Sequence, residues 1–230
     1  MTAAFSRASL QPEVAAPLIL AVPKGRILEE CAPLLLRAGI APDPALTDES
    51  SRALRFSTDD ALLDVVRVRS FDVATFVALG AAQIGICGAD VLMEFDYPEI
   101  YAPLDLGIGA CRISVAAPKG DGLDDDPQSW SRVRVATKYP NVARRHFAAR
   151  GVNADVVHLN GAMELAPGLG LTRLIVDLVA SGSTLKANGL VETEVIAKIT
   201  SRLIVNRTAL KTRPEQIGAF IARFRAALAA

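Results

Sequence analysis

The segment "LIVDLVASGSTLKANG", residues 174–189, places small hydroxyl residues between a buried strand and a helix. Ser181, Ser183 and Thr184 offer hydroxyl groups, and Gly182 permits a close backbone approach and unusual dihedral angles. A turn that leads into a helix N-terminus also presents free backbone N–H groups to an anion. Asp177, just before the turn, can accept hydrogen bonds from sugar hydroxyls. The segment therefore suits a sugar phosphate, and the open alternative is an ordinary turn with a Ser or Thr N-cap.

Other recognisable chemical motifs are absent from the sequence. It has neither GxxxxGK[ST] nor GxGxxG, so a P-loop or a dinucleotide-binding turn has no support. Cys31, Cys87 and Cys111 are far apart and form no CxxC pair, which predicts neither a disulfide framework nor a zinc site. His146 and His158 are too few for a histidine-rich metal site, and we expect both to be structural. A reducing cytoplasm fits this cysteine usage best.

The composition of the chain argues against nucleic acids and membranes as binding partners. The 230 residues carry a formal net charge of +0, which argues against nucleic-acid binding through broad electrostatics. Hydrophobic residues make up 51% of the chain, enough for a sizeable core. Residues 1–16 do not have the pattern of a secretory signal, and we expect a loose extension there. The apolar run "APLILAVP" is too short to cross a bilayer, so no membrane partner is expected.

Apolar runs alternate with helix-forming segments, which predicts an α/β protein with mostly parallel sheets. Strands are predicted at residues 18–22, 53–58, 63–70, 83–88, 111–118, 132–140, 154–160, 174–179 and 192–206. Helices are predicted at residues 27–39, 72–81, 141–151 and 214–229. Asp72 and Asn141 are the expected N-caps, and Pro214 opens the last helix. The polar segment 119–130 is predicted to be a surface loop.

Two groups of these units are separated by residues 97–110, which indicates two lobes with a cleft between them. The expected division is residues 1–105 together with 194–230 in lobe I, and residues 106–193 in lobe II. Ligands of open α/β folds gather at the carboxyl ends of strands and at lobe interfaces. Lys24 and Arg26 follow the first strand at such an end.

Longer stretches carry a family resemblance. An aspartate followed by SGxT after a buried strand is similar to the phosphoribosyl-diphosphate loop of phosphoribosyltransferases. The run "NGAMELAPGLGLTRLIVDLVASGSTLKANGL" closely resembles the signature region of the ATP phosphoribosyltransferase family. "AVPKGRILEE", "SRALRF", "VRSFDVATFVALGAAQIGICGADVL" and "YAPLDLGIGACRISVAAP" resemble its other blocks in the same order. The resemblance covers residues 18–210.

This resemblance implies a bilobal fold like that of the type II periplasmic binding proteins, with the active site in the cleft. It implies a reaction in which adenine N1 of ATP attacks C1 of phosphoribosyl diphosphate, and diphosphate leaves. Mg²⁺ is expected on the diphosphate oxygens, with no metal ligand assigned to the protein. The chain ends soon after the predicted helix at 214–229, as in the short form of the family. That form works with a regulatory subunit similar to histidyl-tRNA synthetase, as a homodimer within a hetero-octamer.

The implied reaction needs no serine or cysteine nucleophile, so positioning and electrostatic stabilisation should dominate. Lys24, Arg52 and Arg69 are the expected catalytic residues. Lys24 is assigned to diphosphate or triphosphate contact, and the two arginines match family blocks and can clamp phosphates. Arg67 lies on the same strand face as Arg69 and competes for its role, which the family match assigns to Arg69.

Two further groups of residues are expected to bind the substrates. For phosphoribosyl diphosphate they are Asp177, Ala180, Ser181, Gly182, Ser183 and Thr184. For ATP they are Arg26, Gly88, Asp90 and Glu164. Each of the charged ATP residues has a structural alternative: a solvated charge at a helix start for Arg26, a helix cap for Asp90 and a surface carboxylate for Glu164. The cysteines are expected to be small core residues.

Two competing functions remain open on the sequence. A phosphoribosyltransferase acting on another nucleobase would share the loop at 180–184 but not the resemblance before residue 160. A solute-binding domain would share the bilobal fold, but that class predicts a signal peptide, and the sequence has none of its features.

Overall fold

The computed structural model describes residues 16–120 and 132–229. Its strands are β1 (Leu18–Pro23), β2 (Arg55–Ser57), β3 (Leu63–Val68), β4 (Ile84–Gly88), β5 (Ile100–Asp105), β6 (Cys111–Pro118), β7 (Arg132–Thr137), β8 (Asn153–His158), β9 (Leu174–Val179), β10 (Leu190–Ile199) and β11 (Ser201–Asn206). Its helices are α1 (Arg26–Arg37), α2 (Ser70–Ala78), α3 (Ala89–Phe95), α4 (Pro140–Ala148), α5 (Leu165–Gly168), α6 (Ser183–Ala187), α7 (Arg207–Thr212) and α8 (Pro214–Ala229), with a 3₁₀ turn at Pro44–Leu46.

The strands form two sheets, in the orders β2-β3-β1-β4-β11-β5 and β10-β6-β9-β7-β8. The α/β class is confirmed, but the expectation of mostly parallel sheets is wrong. Among the described strands, β1 runs parallel to β3 and β4, and β7 runs parallel to β8 and β9, while the other five pairings are antiparallel. Parallel pairing needs a crossover of a dozen or more residues. The short connection between β2 and β3 does not provide one, and the other antiparallel pairs join strands that are far apart in the chain.

Helices cover both faces of each sheet. On one face of the first sheet, alternate residues of β1 pack with α1 and α8, where Phe220 and Phe224 stack. On its other face α2 packs against β4 and β11. The second sheet has α4 on one face, and α5 and α6 on the other. Because each sheet is covered on both sides, the apolar runs are nearly continuous, as the sequence indicates.

The chain changes sheets in two places, between β5 and β6 and between β10 and β11. Residues 97–110, expected as a separating segment, contain β5, which pairs with β11. The single long strand expected at 192–206 is two strands, because β10 pairs with β6 in the second sheet and β11 pairs with β4 in the first. The break is at Thr200, and the lobe boundary expected between residues 193 and 194 lies inside β10. Both strands are rich in β-branched residues, so no change of composition marks the break.

Both expected helix caps are wrong. Helix α2 begins at Ser70 with Arg69 as N-cap, and Asp72 lies in its first turn. Helix α4 begins at Pro140 with Tyr139 as N-cap, and the Asn141 side chain does not cap it. Instead, the Glu94 carboxylate of α3 accepts hydrogen bonds from the backbone N–H groups of Asn141, at 2.9 and 3.1 Å, and Val142, at 3.0 Å. The group that caps α4, a helix of the second sheet, therefore comes from α3, a helix of the first sheet.

Two expectations lie at least partly outside the described residues: the loose extension at 1–16 and the surface loop at 119–130. Across residues 16–120 and 132–229, none of the helices has the length and apolar character needed to span a bilayer.

Candidate active site

A cleft of about 580 Å³ lies between the two sheets. Residues from both sheets line it, at the edge where the parallel strands of each sheet end. The first sheet and its helices contribute Lys24, Arg69, Ser70, Phe71, Asp72, Glu94 and Phe95. The second contributes Lys138, Pro140, Asn141, His158 and Asn160.

Two exposed cations lie side by side on the first-sheet wall of the cleft. Lys24 follows β1 and Arg69 follows β3, and these strands are parallel neighbours with Pro23 opposite Val68. The Lys24 backbone N–H donates to the carbonyl of Val68 at 3.0 Å, which fixes the two strand ends together. Two adjacent positive charges at the mouth of a cleft can hold a polyphosphate.

Arg67 is placed differently from Arg69. Its side chain is 6% exposed, and its guanidinium donates hydrogen bonds to four backbone carbonyls. Arg69 is exposed and lines the cleft. Of the two, Arg69 is therefore the arginine whose charge is available to a ligand there.

The loop after β9 has the geometry of an open turn. Gly182 has φ +77°, a left-handed conformation that a side chain disfavours. The Ser181 and Ser183 hydroxyls are 2.9 Å apart, and the Ser183 N–H donates to Ser181 Oγ at 3.3 Å. Arg112 donates a hydrogen bond to the carbonyl of Ala180 at 2.9 Å and so fixes the start of the loop. Ser181, Ser183 and Thr184 belong to the solvent-facing turn, so their hydroxyls are accessible to a ligand.

The charged groups around Asp177 link this loop to the cleft. The pKa of the Asp177 carboxyl is raised to about 6, mainly by burial and also by the negative charge of Glu164, against the lowering effects of the Leu178 N–H and the Lys138 ammonium. Asp177 Oδ1 also accepts a hydrogen bond from the Leu178 N–H at 2.8 Å. Because β7 and β9 are parallel neighbours, with Thr137 opposite Val176, Lys138 lies beside Asp177. The Lys138 ammonium also lies 4.0 Å from the centroid of the Phe71 ring, across the cleft.

Gly88 and Asp90 are buried and join the two sheets. The Asp90 side chain is 5% exposed and accepts a hydrogen bond from the Tyr139 hydroxyl at 2.9 Å. Burial raises the pKa of this carboxyl, although the Tyr139 hydroxyl counteracts the effect. A Cβ on Gly88 would lie 1.9 Å from Asp90 Oδ1, so the carboxylate itself requires glycine at this position. These contacts favour a structural role over the expected nucleotide contact.

Arg26 and Arg52 are not among the residues that line the cleft. Arg26 forms an ion pair with Glu30 at 3.6 Å and donates to the carbonyl of Gly109 at 3.5 Å. It thus helps to fix the connection between β5 and β6. Arg52 lies exposed on the loop between the 3₁₀ turn and β2.

Comparisons with known proteins identify the family. The family model "HisG: ATP phosphoribosyltransferase" matches residues 69–226. The chain is 72% identical over 212 residues to an ATP phosphoribosyltransferase of Gluconobacter oxydans, covering 92% of this chain and 88% of that protein. The chain belongs to the ATP phosphoribosyltransferase family. It is therefore an enzyme that transfers a phosphoribosyl group to ATP, the first step of histidine biosynthesis.

Two more relatives extend the comparison. An ATP phosphoribosyltransferase of Paramagnetospirillum magneticum is 67% identical, covering 91% of this chain and 96% of that protein. A solved structure described as the "ATP phosphoribosyl transferase (HisG:HisZ) complex from Thermotoga maritima" matches with a TM-score of 0.77 and 32% identity. It covers 92% of this chain and 98% of that chain. The fold is thus shared across the family.

Sequence reasoning missed Lys138, His158 and Asn160 as residues of the cleft. Lys138 follows β7 and the other two lie at or after the end of β8. A usable signal existed, because the rule that ligands gather at the carboxyl ends of strands applies to these strands as it does to β1. His158, expected to be structural, is exposed at the cleft.

The other histidine and the cysteines have structural surroundings. His146 lies against Glu194, with Nε2 at 3.2 Å from its carboxylate, and burial lowers the pKa of His146 to about 4. All three cysteines are free. Burial raises the pKa of the Cys31 thiol to about 12, so it remains protonated.

Proposed function

We propose that phosphoribosyl diphosphate binds at the edge of the second sheet, with its 5-phosphate on the loop at 180–184 and its diphosphate directed towards Lys24 and Arg69. The observation that supports this most is the position of complementary groups near one cleft. Two exposed cations line the cleft, and so does Lys138, which lies beside Asp177 on the strand that leads into the hydroxyl- and glycine-bearing turn. ATP would then approach from the first-sheet side.

The transfer follows from this placement. Adenine N1 donates its lone pair to C1 of the ribose, the C1–O bond breaks, and its electron pair leaves with the diphosphate. Lys24 and Arg69 stabilise the negative charge that collects on the leaving group. The Asp177 carboxylate, whose pKa of about 6 leaves it mostly ionised above pH 7, accepts hydrogen bonds from the ribose hydroxyls. Substrate alignment supplies much of the remaining rate enhancement.

Magnesium fits this site as a substrate-bound ion. Within the described ranges, no group of three or more His, Cys, Asp or Glu residues is arranged to hold a metal. Asp177 and Glu164 nevertheless provide hard oxygen atoms beside the proposed ligand, and their mutual repulsion favours a nearby cation. Asp177 and Glu164 would help to hold the ion beside the substrate, where Mg²⁺ would offset negative charge on the diphosphate.

We further propose the bilobal, type II periplasmic-binding-like arrangement and the short form of the family for this chain. It spans 96% of the length of its Paramagnetospirillum relative. The Thermotoga structure is described as a HisG:HisZ complex, which supports a regulatory subunit here too. We expect that partner to resemble histidyl-tRNA synthetase, to assemble with a homodimer of this chain into a hetero-octamer, and to receive histidine as inhibitor. The three free thiols agree with a cytoplasmic location.

The test of the cleft assignment is an activity assay with ATP, phosphoribosyl diphosphate and Mg²⁺, followed by ultraviolet absorbance. Arg69→Ala should lower kcat about 100-fold, the range for losing one well-placed transition-state donor. Arg134→Ala is the matched control, because Arg134 is also exposed but pairs with Asp155 at 3.0 Å in the second sheet. Near-normal turnover of Arg69→Ala would remove Arg69 from catalysis. Equal turnover with a free nucleobase in place of ATP would favour the other class of phosphoribosyltransferase.

A further inference from the structure

We propose that Arg67 is a positioning residue that holds the loop at residues 47–54, here called the Arg52 loop, in the conformation that presents Arg52 to the substrates. This inference rests in one respect on the proposed phosphoribosyl transfer, to which the family resemblance assigns Arg52 as a catalytic residue. The rest of the inference is supported by the hydrogen bonds between Arg67 and the loop.

The Arg67 side chain makes its contacts on both sides of Arg52. Nη1 donates to the carbonyls of Leu46, at 2.7 Å, and Asp48, at 2.9 Å. Nη2 donates to the carbonyls of Ser51, at 2.7 Å, and Ala53, at 3.3 Å. The residues on either side of Arg52 are therefore held by one guanidinium. The backbone N–H of Arg67 adds a fifth tie, to the carbonyl of Leu54 at 2.8 Å.

The loop has little else to order it. Its own hydrogen bonds are short-range: Ser50 N–H to Asp48 Oδ1 at 2.8 Å, Ser51 N–H to the Asp48 carbonyl at 3.3 Å, and Ala53 N–H to Ser51 Oγ at 3.3 Å. Such turns leave many conformations open to a segment without helix or strand pairing. The Arg67 contacts reach the loop from a strand of the first sheet, and they select one conformation.

The surroundings of Arg67 indicate that its charge is used within the protein. The side chain is 6% exposed and its guanidinium lies over the Phe56 ring, 5.1 Å from the centroid. No ion pair to a carboxylate is found for it in the part of the chain that the structure describes. A buried charge is costly unless it is hydrogen-bonded. Here backbone carbonyls accept from both Nη atoms, while Nε is buried without a partner among the described residues, and the Nη contacts tie the charge to the loop's conformation.

The position of the loop has a direct consequence for the substrate site. A pocket of about 290 Å³ adjoins the cleft and shares Lys24 with it. One wall is the start of α1, with Gly25, Leu28 and Glu29, and the other is the Arg52 loop, with Thr47, Glu49 and Ser51. Arg67 also lines this pocket. The Arg67 guanidinium thus fixes the loop where it faces Lys24 across this pocket. Because Arg52 is part of the loop, we expect the same contacts to set the reach of its side chain.

The experiment compares Arg67→Met and Arg67→Lys with the wild-type enzyme. Met keeps much of the volume, and Lys keeps the charge but cannot reproduce the planar fork. Both should lower kcat, by about 10- to 100-fold for Met, because small misplacements of catalytic groups are that costly. The KM for phosphoribosyl diphosphate should change less than about 3-fold, since its binding energy comes mainly from the other sheet. Amide hydrogen exchange at 47–54 should become about 10-fold faster, the sign of local opening.

The matched control is Arg55→Met. Arg55 lies next to the same loop but is exposed and pairs with Asp64 at 2.6 Å, without contacting the loop's carbonyls. It should leave kcat and loop exchange near wild-type values. If Arg67→Met fails to fold, Arg67→Lys carries the test.

A double mutant separates positioning from a general loss of structure. If Arg67 acts through Arg52, Arg67→Met should lower kcat little further in an Arg52→Ala background. An equal loss in both backgrounds, or unchanged exchange at 47–54, would overturn the proposal. A normal kcat for Arg52→Ala alone would instead contradict the catalytic role that the sequence assigns to Arg52, and would leave Lys24 and Arg69 as the cations of the proposed transfer. In that case the claim that Arg67 presents Arg52 to the substrates would also be wrong. The hydrogen-exchange measurement would still decide whether Arg67 holds the loop.

Discussion

The loop at 180–184 and the Arg52 loop both belong to the proposed substrate site, yet they are ordered in different ways. The first is shaped largely by neighbours in sequence: the φ of +77° at Gly182 and the 2.9 Å contact between the Ser181 and Ser183 hydroxyls. The second takes its shape from Arg67, on a strand that follows it in the chain. A locally ordered loop has a readable motif, whereas a loop ordered by a distant side chain does not.

The strongest test of the role given to the loop at 180–184 is the variant Gly182→Val. A β-branched residue strongly disfavours φ +77°, and its side chain would occupy space needed by a phosphate. In the free protein the nearest atom to a Cβ there is Val179 Cγ1 at 3.8 Å, so the fold should survive. We expect the affinity for phosphoribosyl diphosphate to fall at least about 100-fold, roughly the loss of two hydrogen bonds to a charged group.

Gly151→Val is the control for strain. Gly151 has φ +74°, and a Cβ added to it would meet no atom within 4 Å, but it lies before β8, at the opposite edge of the second sheet. It should lose a similar amount of stability while keeping its affinity. Calorimetric titration measures the affinity, and thermal unfolding measures the stability. Equal affinities in the two variants would contradict the assignment of the loop.

The sequence predicted what local patterns determine. Strand β9 at Leu174–Val179 and strand β6 at Cys111–Pro118 lie where the apolar runs place them, and helix α8 begins at Pro214. The break at Thr200 was missed, because both strands around it have the same composition and only their partners differ. The cap of α4 was missed for a similar reason, since Glu94 is far from it in the chain.

The cap supplied by Glu94 provides the second test, of a contact between the two sheets. Glu94→Ala would leave the N–H groups of Asn141 and Val142 without their acceptor in a largely buried position. We expect a loss of about 2–3 kcal/mol in the free energy of unfolding, as for a buried charge-assisted hydrogen bond. Asn141→Ala should cost about 1 kcal/mol or less, because its side chain makes only one bond among the described residues, to the Glu94 carbonyl at 3.1 Å. Urea unfolding measures the loss of stability in both variants. A larger loss for Asn141→Ala than for Glu94→Ala would show that Asn141 is the more important residue.

Asp177 gives the smallest expected effect, on the pH dependence of stability. Its pKa in the folded protein is about 6, above its ordinary value of 3.8, so the folded state binds this proton more tightly than the unfolded chain. The resulting stability is fully present below pH 4 and is lost as the pH rises through 6. Asp177→Asn should therefore gain about 1–2 kcal/mol relative to wild type between pH 4 and pH 8, allowing for partial exposure. A parallel pH profile for the two proteins would contradict the raised pKa.

The central claim is that phosphoribosyl diphosphate binds on the second sheet and reaches the cations of the first across the cleft. Amide hydrogen exchange with and without phosphoribosyl diphosphate and Mg²⁺ tests it directly. We expect strong protection at residues 180–187, where the phosphate would bind, with weaker protection at residues 24–25 and 69–70. The protection at 180–187 should disappear in Gly182→Val and persist in Gly151→Val. Protection confined to the first sheet, with none at 180–187, would contradict the account.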